Sequence, residues 1–77
     1  SFINARVLVQ VPVGERQVLL VPLAAATTRS GIDFVQVRTG NTDTERAVMI
    51  GERLSRTDGE FVEVLTGLSP GDLIVTP

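Results

Sequence analysis

The side chains of this sequence that do chemistry are carboxylates, hydroxyls and guanidinium groups. Its 77 residues include no His, no Cys and no Lys. Zinc sites of the Cys/His kind are therefore excluded, and so are Ser-His and Cys-His nucleophiles. Schiff-base lysines and lysine-attached swinging cofactors are excluded too. Paired acids are the next candidates. Glu60 and Glu63 share the strand-like run "EFVEVLTG", but their odd separation puts them on opposite faces of a strand. Asp43 and Glu45 follow the turn-like "GNT" and share a face there at best. Acid-base work needs a cleft that raises one pKa. The pattern predicts no cleft, so the acids read as solvated surface charges. Asp72 follows Pro70 and Gly71 in "SPGD", where a carboxylate accepts backbone N–H groups and has a structural role. Ser30, Ser55 and Ser69 read as turn residues with no base nearby, and Thr27 and Thr28 are similar. No GxGxxG or GxxxxGK pattern offers a phosphate cradle. Met49 stands alone in an apolar run and reads as core rather than as a soft-metal ligand. The expectation is a non-catalytic chain with no cofactor and no metal.

The basic set is all Arg: Arg6, Arg16, Arg29, Arg38, Arg46, Arg53 and Arg56, spread singly among nine acids for a net charge of −2. Nucleic-acid binding needs a basic stripe with aromatic platforms. Phe2, Phe34 and Phe61 are the sole aromatics, so no nucleic-acid partner is expected. Arg29, Arg53 and Arg56, read as turn residues, are candidates for a partner-facing surface. Arg is enriched at interfaces, and loops at the end of a rigid barrel carry binding.

The elements that must hold these residues are strands. "FINARVLVQV" alternates with a period of two, Ile3, Ala5, Val7, Val9 and Val11 against Asn4, Arg6, Leu8 and Gln10. Pro12 and Gly14 break it. "QVLLVP" is nearly all apolar, as for a strand buried on both faces. "LAAATTRSG" is too short to nucleate a helix and reads as an extended or single-turn connection. "FVQVRT" puts Val35 and Val37 on one face, with Phe34, Gln36 and Arg38 on the other. "ERAVMIGE", "EFVEVLTG" and "LIVT" follow. Between them stand "GNTD" and "RTDG", where Asp58-Gly59 marks a hairpin, then "LSPGD". In the last, Pro70 and Gly71 suit a type II turn. The predicted fold is all-β: a small antiparallel β-barrel or sandwich-like domain of about six short strands. One domain is the most this length holds. No apolar run approaches the roughly 20 residues of a membrane-spanning helix. The chain opens on a strand without Met, so it is expected to be a segment of a longer protein whose targeting signal lies upstream.

With the strands placed, five phrases in order resemble the C-terminal part of HlyD-type membrane fusion proteins, the periplasmic adaptor subunits of tripartite efflux pumps. The first is carried by Phe2, Ala5, Arg6 and Val7. Val21, Pro22 and Ala25 or Ala26 carry the second. Val35, Val37, Val48 and Gly51 carry the middle. Val64, Gly67, Leu68, Gly71, Asp72, Ile74 and Val75 carry the close. The stretch "AAATT" departs from the family, which more often has a branched apolar residue after Ala.

The resemblance implies a membrane-proximal domain. Residues 17–77 would form it, and residues 1–16 would be its first strand or the end of a preceding β-barrel domain. In that family the domain docks on an inner-membrane transporter of resistance-nodulation-division (RND) or ATP-driven (ABC) type, and other domains reach the outer-membrane channel. The full protein forms a homo-oligomeric ring in the periplasm, anchored at or near the inner membrane. An N-terminal segment usually completes the small barrel, so an unpaired sheet edge is expected here. Asp58, Gly59, Gly67, Pro70, Gly71 and Asp72 would be structural turn residues. Two other readings remain open: a small-ligand-binding β-barrel, and an accessory barrel of a larger protein.

Overall fold

The computed structural model describes residues 4–76. Phe2 and Ile3, counted in the expected first strand, lie outside the described residues. The strands are β1 (Asn4–Val7), β2 (Gln10–Val13), β3 (Arg16–Pro22), β4 (Ala26–Arg29), β5 (Ile32–Thr39), β6 (Thr42–Arg56), β7 (Gly59–Thr66) and β8 (Leu73–Thr76). A single 3-10 turn spans Leu23–Ala25. All strand pairs are antiparallel, as the alternation predicts.

Eight strands replace the expected six for two local reasons. The first run divides at Leu8 and Val9, where pairing passes from β8 to β3; Leu8 itself extends the β1–β8 register by one residue, onto Asp72. Its N–H donates to the Asp72 carbonyl at 2.8 Å and its carbonyl accepts from Gly71 N–H at 2.7 Å. The alanine stretch makes one 3-10 turn and then continues as β4, which pairs with β5 from Ala26 opposite Val35 to Arg29 opposite Ile32. The expected extended or single-turn connection is thus both at once.

The strand order is β1-β8-β5-β6-β7-β3-β2, with β4 on the β8 side of β5. The two outermost strands, β1 and β2, are consecutive in sequence. One segment therefore touches both ends of a curled sheet, giving a half-barrel. The outer edges of β1, β2 and β4 have no strand partner among the described residues. The 15-residue β6 makes the curl possible. Residues 42–48 pair with β5, and residues 49–56 pair with β7. Between them the register shifts at Met49/Ile50 and at Ile50/Arg53. Such bulges bend a strand and re-aim its side chains.

Two apolar clusters follow. The larger joins Leu8, Val21, Val35, Val37, Val48, Val62, Val64 and Ile74 between the two halves of the sheet. Val21, Val35, Val62 and Ile74 are fully buried, each contributing about 1.5–3 kcal/mol. The smaller joins Val18, Leu20 and Phe61, with Val11, Val13 and Leu54 against them. β3 and β7 serve both, Leu19 and Val21 against the first cluster and Val18 and Leu20 in the second. The all-apolar "QVLLVP" is therefore covered on both faces, as expected.

Two expectations are corrected. Met49 is 63% exposed rather than core, because residues 43, 45, 47 and 49 share the outer face of β6. Glu63 is 6% exposed rather than solvated. Its strand has apolar cover on both faces, and it sits opposite Leu20.

Gly67 and Gly71 are required by backbone geometry. Gly67, at φ +105°, lies so close to β6 that an added Cβ would stand 2.5 Å from the Ala47 carbonyl oxygen. Gly71, at φ +93°, has open space, but its left-handed backbone excludes most side chains.

Candidate functional site

Among the described residues, no group of three acids or other metal-binding side chains stands together. Four of the nine carboxylates are instead in ion pairs with Arg. Arg29, the last residue of β4, makes a two-pronged bond to Glu45 on β6, with Nη1 at 2.6 Å from Oε2. Its guanidinium also lies 4.5 Å over the Phe34 ring. Arg38 pairs with Asp43 directly across the β5–β6 ladder, Nε to Oδ1 at 2.7 Å and Nη2 to Oδ2 at 3.1 Å. The hydrogen bond from Arg29 holds the Glu45 carboxyl below its ordinary value, against partial desolvation and with help from charge attraction. Arg38 does the same to Asp43. Lowered carboxyl pKa values are the opposite of what a general acid needs.

The turn before β8 is a second constellation. Asp72 N–H donates to the Ser69 carbonyl at 3.1 Å, closing a four-residue turn with Pro70 and Gly71 at its centre. Asp72 Oδ2 accepts from Ser69 N–H at 2.9 Å and from Arg46 Nη1 at 3.0 Å. With the two bonds to Leu8, the turn ties β8, β6 and the β1–β2 junction together. Asp58 lies in the two-residue loop 57–58, and Gly59 opens β7 opposite Arg56.

Arg16 Nη1 reaches the buried Glu63 Oε2 at 3.3 Å while the rest of its side chain stays exposed. Four of the seven Arg residues thus have acid partners: Arg16, Arg29, Arg38 and Arg46. Among the described residues Arg6, Arg53 and Arg56 have none.

The three Arg residues picked out from the sequence do not form one patch. Arg29 is neutralised by Glu45. Arg53 and Arg56 lie within β6 rather than in a turn, because the bulged strand pairs with β7 as far as Arg56. Ser55 is likewise in β6, bonded to Glu60 at 3.0 Å. Arg53 is opposite Val62, whereas Leu54 is opposite Phe61, so Arg53 and Arg56 take opposite faces.

Arg56 instead joins a residue that the sequence did not mark as a site. It and Arg6 rim a groove of about 200 Å³, with Asp58 also on the rim. Val7, Val9, Val11, Leu20 and Phe61 form the apolar surface. Arg6 lies 5.8 Å over the Phe61 ring. Val7 and Val9 are 58% and 59% exposed, while Leu8 between them is buried. The one legible signal was that this strand is apolar on both sides, Val7, Val9 and Val11 against Leu8.

No protein-family model and no curated protein matches the chain. Among solved structures, it is similar to a 180-residue piece of SilB from Cupriavidus metallidurans CH34, one described as encompassing the N-terminal metal-binding site and the membrane proximal domain. The TM-score is 0.76 at 24% identity, over 96% of this chain and 39% of that one. The chain thus spans about two-fifths of that piece. What the two share at this identity is the fold.

Proposed function

We propose that this chain is the membrane-proximal domain of a periplasmic adaptor, a membrane fusion protein of a tripartite efflux or export system, and that it acts without catalysis. The observation that carries this reading is the likeness of nearly the whole chain to a piece of SilB that includes that protein's membrane proximal domain. The ordered phrases from Ala5 to Val75 point the same way. The domain docks on an inner-membrane transporter, of RND or ABC type, and other domains of the full protein reach the outer-membrane channel. The full protein assembles as a ring in the periplasm beside the inner membrane. Residues 1–16 belong to the same domain, with β1 and β2 as its first strands; burial of Leu8 in the main core supports this.

A domain of this kind works by being a rigid, shaped surface. Its interior is satisfied internally, since among the described residues no buried polar side-chain atom lacks a partner. The ligand-binding alternative is disfavoured by size. Pockets for small molecules span roughly 300–1,000 Å³, and the groove at Phe61 and the depression between Gly31 and Ile50, at about 200 and 280 Å³, are both smaller.

The test is deletion of these 77 residues from the full-length protein in its own host. Loss of both export and co-purification with an inner-membrane transporter is expected, with the rest of the protein still present in the envelope. Unchanged co-purification and export would overturn the proposal.

A further inference from the structure

We propose that the groove between the β1–β2 segment and the β6–β7 hairpin is the docking site, and that it takes a protein segment presenting carboxylates on either side of a large apolar side chain. This deepens the adaptor reading and rests on it, because the segment is placed on the transporter.

Three observations point to this occupant. First, the β1–β2 segment turns one residue inward and several outward. Leu8 fills the core, while Val7 and Val9 stay more than half exposed on the groove side. Solvent-facing valines beside Leu20 and Phe61 make an apolar surface that gains from being covered.

Second, the charge at the groove is unspent. Four other Arg residues are matched to acids, but Arg6 and Arg56 have no acid among the described residues. A depression between Gly31 and Ile50 has no Arg in its lining. The chain as a whole is acidic, so a cationic rim is a local feature that selects for carboxylate. Asp58 shares the rim, and it repels a carboxylate brought to its own end, which orients the segment.

Third, Arg6 has an aromatic neighbour. Its guanidinium lies 5.8 Å from the centroid of the Phe61 ring, at the outer reach of a cation–π contact, and its planar N–H donors are left for a bidentate carboxylate. The volume of the groove suits one or two side chains rather than a whole small molecule.

The test titrates the isotope-labelled 77-residue chain with two blocked peptides, Asp-Leu-Glu-Phe-Glu and Lys-Leu-Lys-Phe-Lys, and follows backbone amide shifts. The acidic peptide is expected to shift Arg6, Val9, Leu20, Arg56 and Phe61, and the basic one to bind at least about tenfold more weakly. Arg6→Glu with Arg56→Glu is expected to reverse that preference. Val9→Asp, at a position 59% exposed, is expected to weaken the acidic peptide by about tenfold. Equal response to both peptides, or shifts centred elsewhere, overturns the proposal. So does the appearance of the same shifts on concentrating the chain alone, which would mark a second copy as occupant. The same shifts with anionic phosphatidylglycerol vesicles, and none with the acidic peptide, would mark a lipid surface and overturn it as well.

In the full-length protein, a photo-crosslinking residue at Val9 is expected to capture the transporter, and one at Thr42 is not. Capture from Thr42 alone overturns the groove and leaves the adaptor reading standing. Capture from neither position overturns the groove as the docking site. If no transporter co-purifies either, the adaptor reading falls with it.

Discussion

Arg46 of β6 donates to the Asp72 carboxylate at 3.0 Å, joining two residues that are 26 apart in the chain. The same Asp72 oxygen caps Ser69 N–H at 2.9 Å. A local turn and a long-range clamp therefore share one acceptor atom, and the turn cannot shift without releasing β6.

Asp72→Ala is expected to destabilise the chain by about 1–3 kcal/mol, since a charged acceptor of two donors is lost. Arg46→Ala is expected to cost less, because the Ser69 cap remains. The two losses should fall short of additive in a double-mutant cycle. Urea denaturation of the four proteins measures all three values.

Gly67→Ala should be far more harmful than Gly71→Ala. Both glycines have positive φ, but an added methyl at Gly67 also meets the Ala47 carbonyl oxygen at 2.5 Å, whereas at Gly71 it meets open space. The backbone cost alone is about 1–2 kcal/mol for each. Gly67→Ala adds the shift of β6, and a loss of roughly 3 kcal/mol or more is expected. Thermal melts rank the pair, and equal losses would show that β6 gives way freely.

Glu63 is the one buried acid among the described residues, and exposed Arg16 is its counter-charge. Arg16→Ala strands that carboxylate and is expected to cost about 1–3 kcal/mol. Adding Glu63→Gln to Arg16→Ala is expected to restore part of the loss, because a neutral amide costs less to bury. No recovery in chemical denaturation would mean that the Arg16 stem, not its charge, supports the fold.

The Arg38–Asp43 and Arg29–Glu45 pairs set a pH dependence. Both carboxyl groups titrate below their ordinary values of 3.8 and 4.5, so folding favours their charged forms. Their stabilisation is complete above those values and is lost as pH falls through the lower folded-state values. Stability should decline below about pH 4.5, and Asp43→Asn with Glu45→Gln should flatten that decline. Carboxyl NMR titration of the folded chain checks the sign directly. High salt should shrink the effect, since both pairs lie at the surface.

What the sequence determined by itself is local. A period of two predicted the strands and placed Val35 and Val37 together, and both are buried. Gly, Asn, Asp and Pro marked the chain reversals, because φ preference is a property of single residues. The strand pattern predicted a small antiparallel β-barrel or sandwich-like domain, and the structure is an antiparallel half-barrel. The site was less legible. Arg56 was picked out, but Arg6, Val7 and Val9 were not, and Arg29 and Arg53 lie elsewhere. Tertiary structure decided which Arg meets an acid, because Arg29 finds Glu45 across an intervening strand. It also decided which side of each strand is inside. Burial of Leu8 leaves Val7 and Val9 outward, and the bulges after Met49 reset the faces of β6. A one-residue change of register moves every later side chain to the opposite face. Such shifts are set by pairings with Asp72 and β7, which lie far along the chain and leave no local mark.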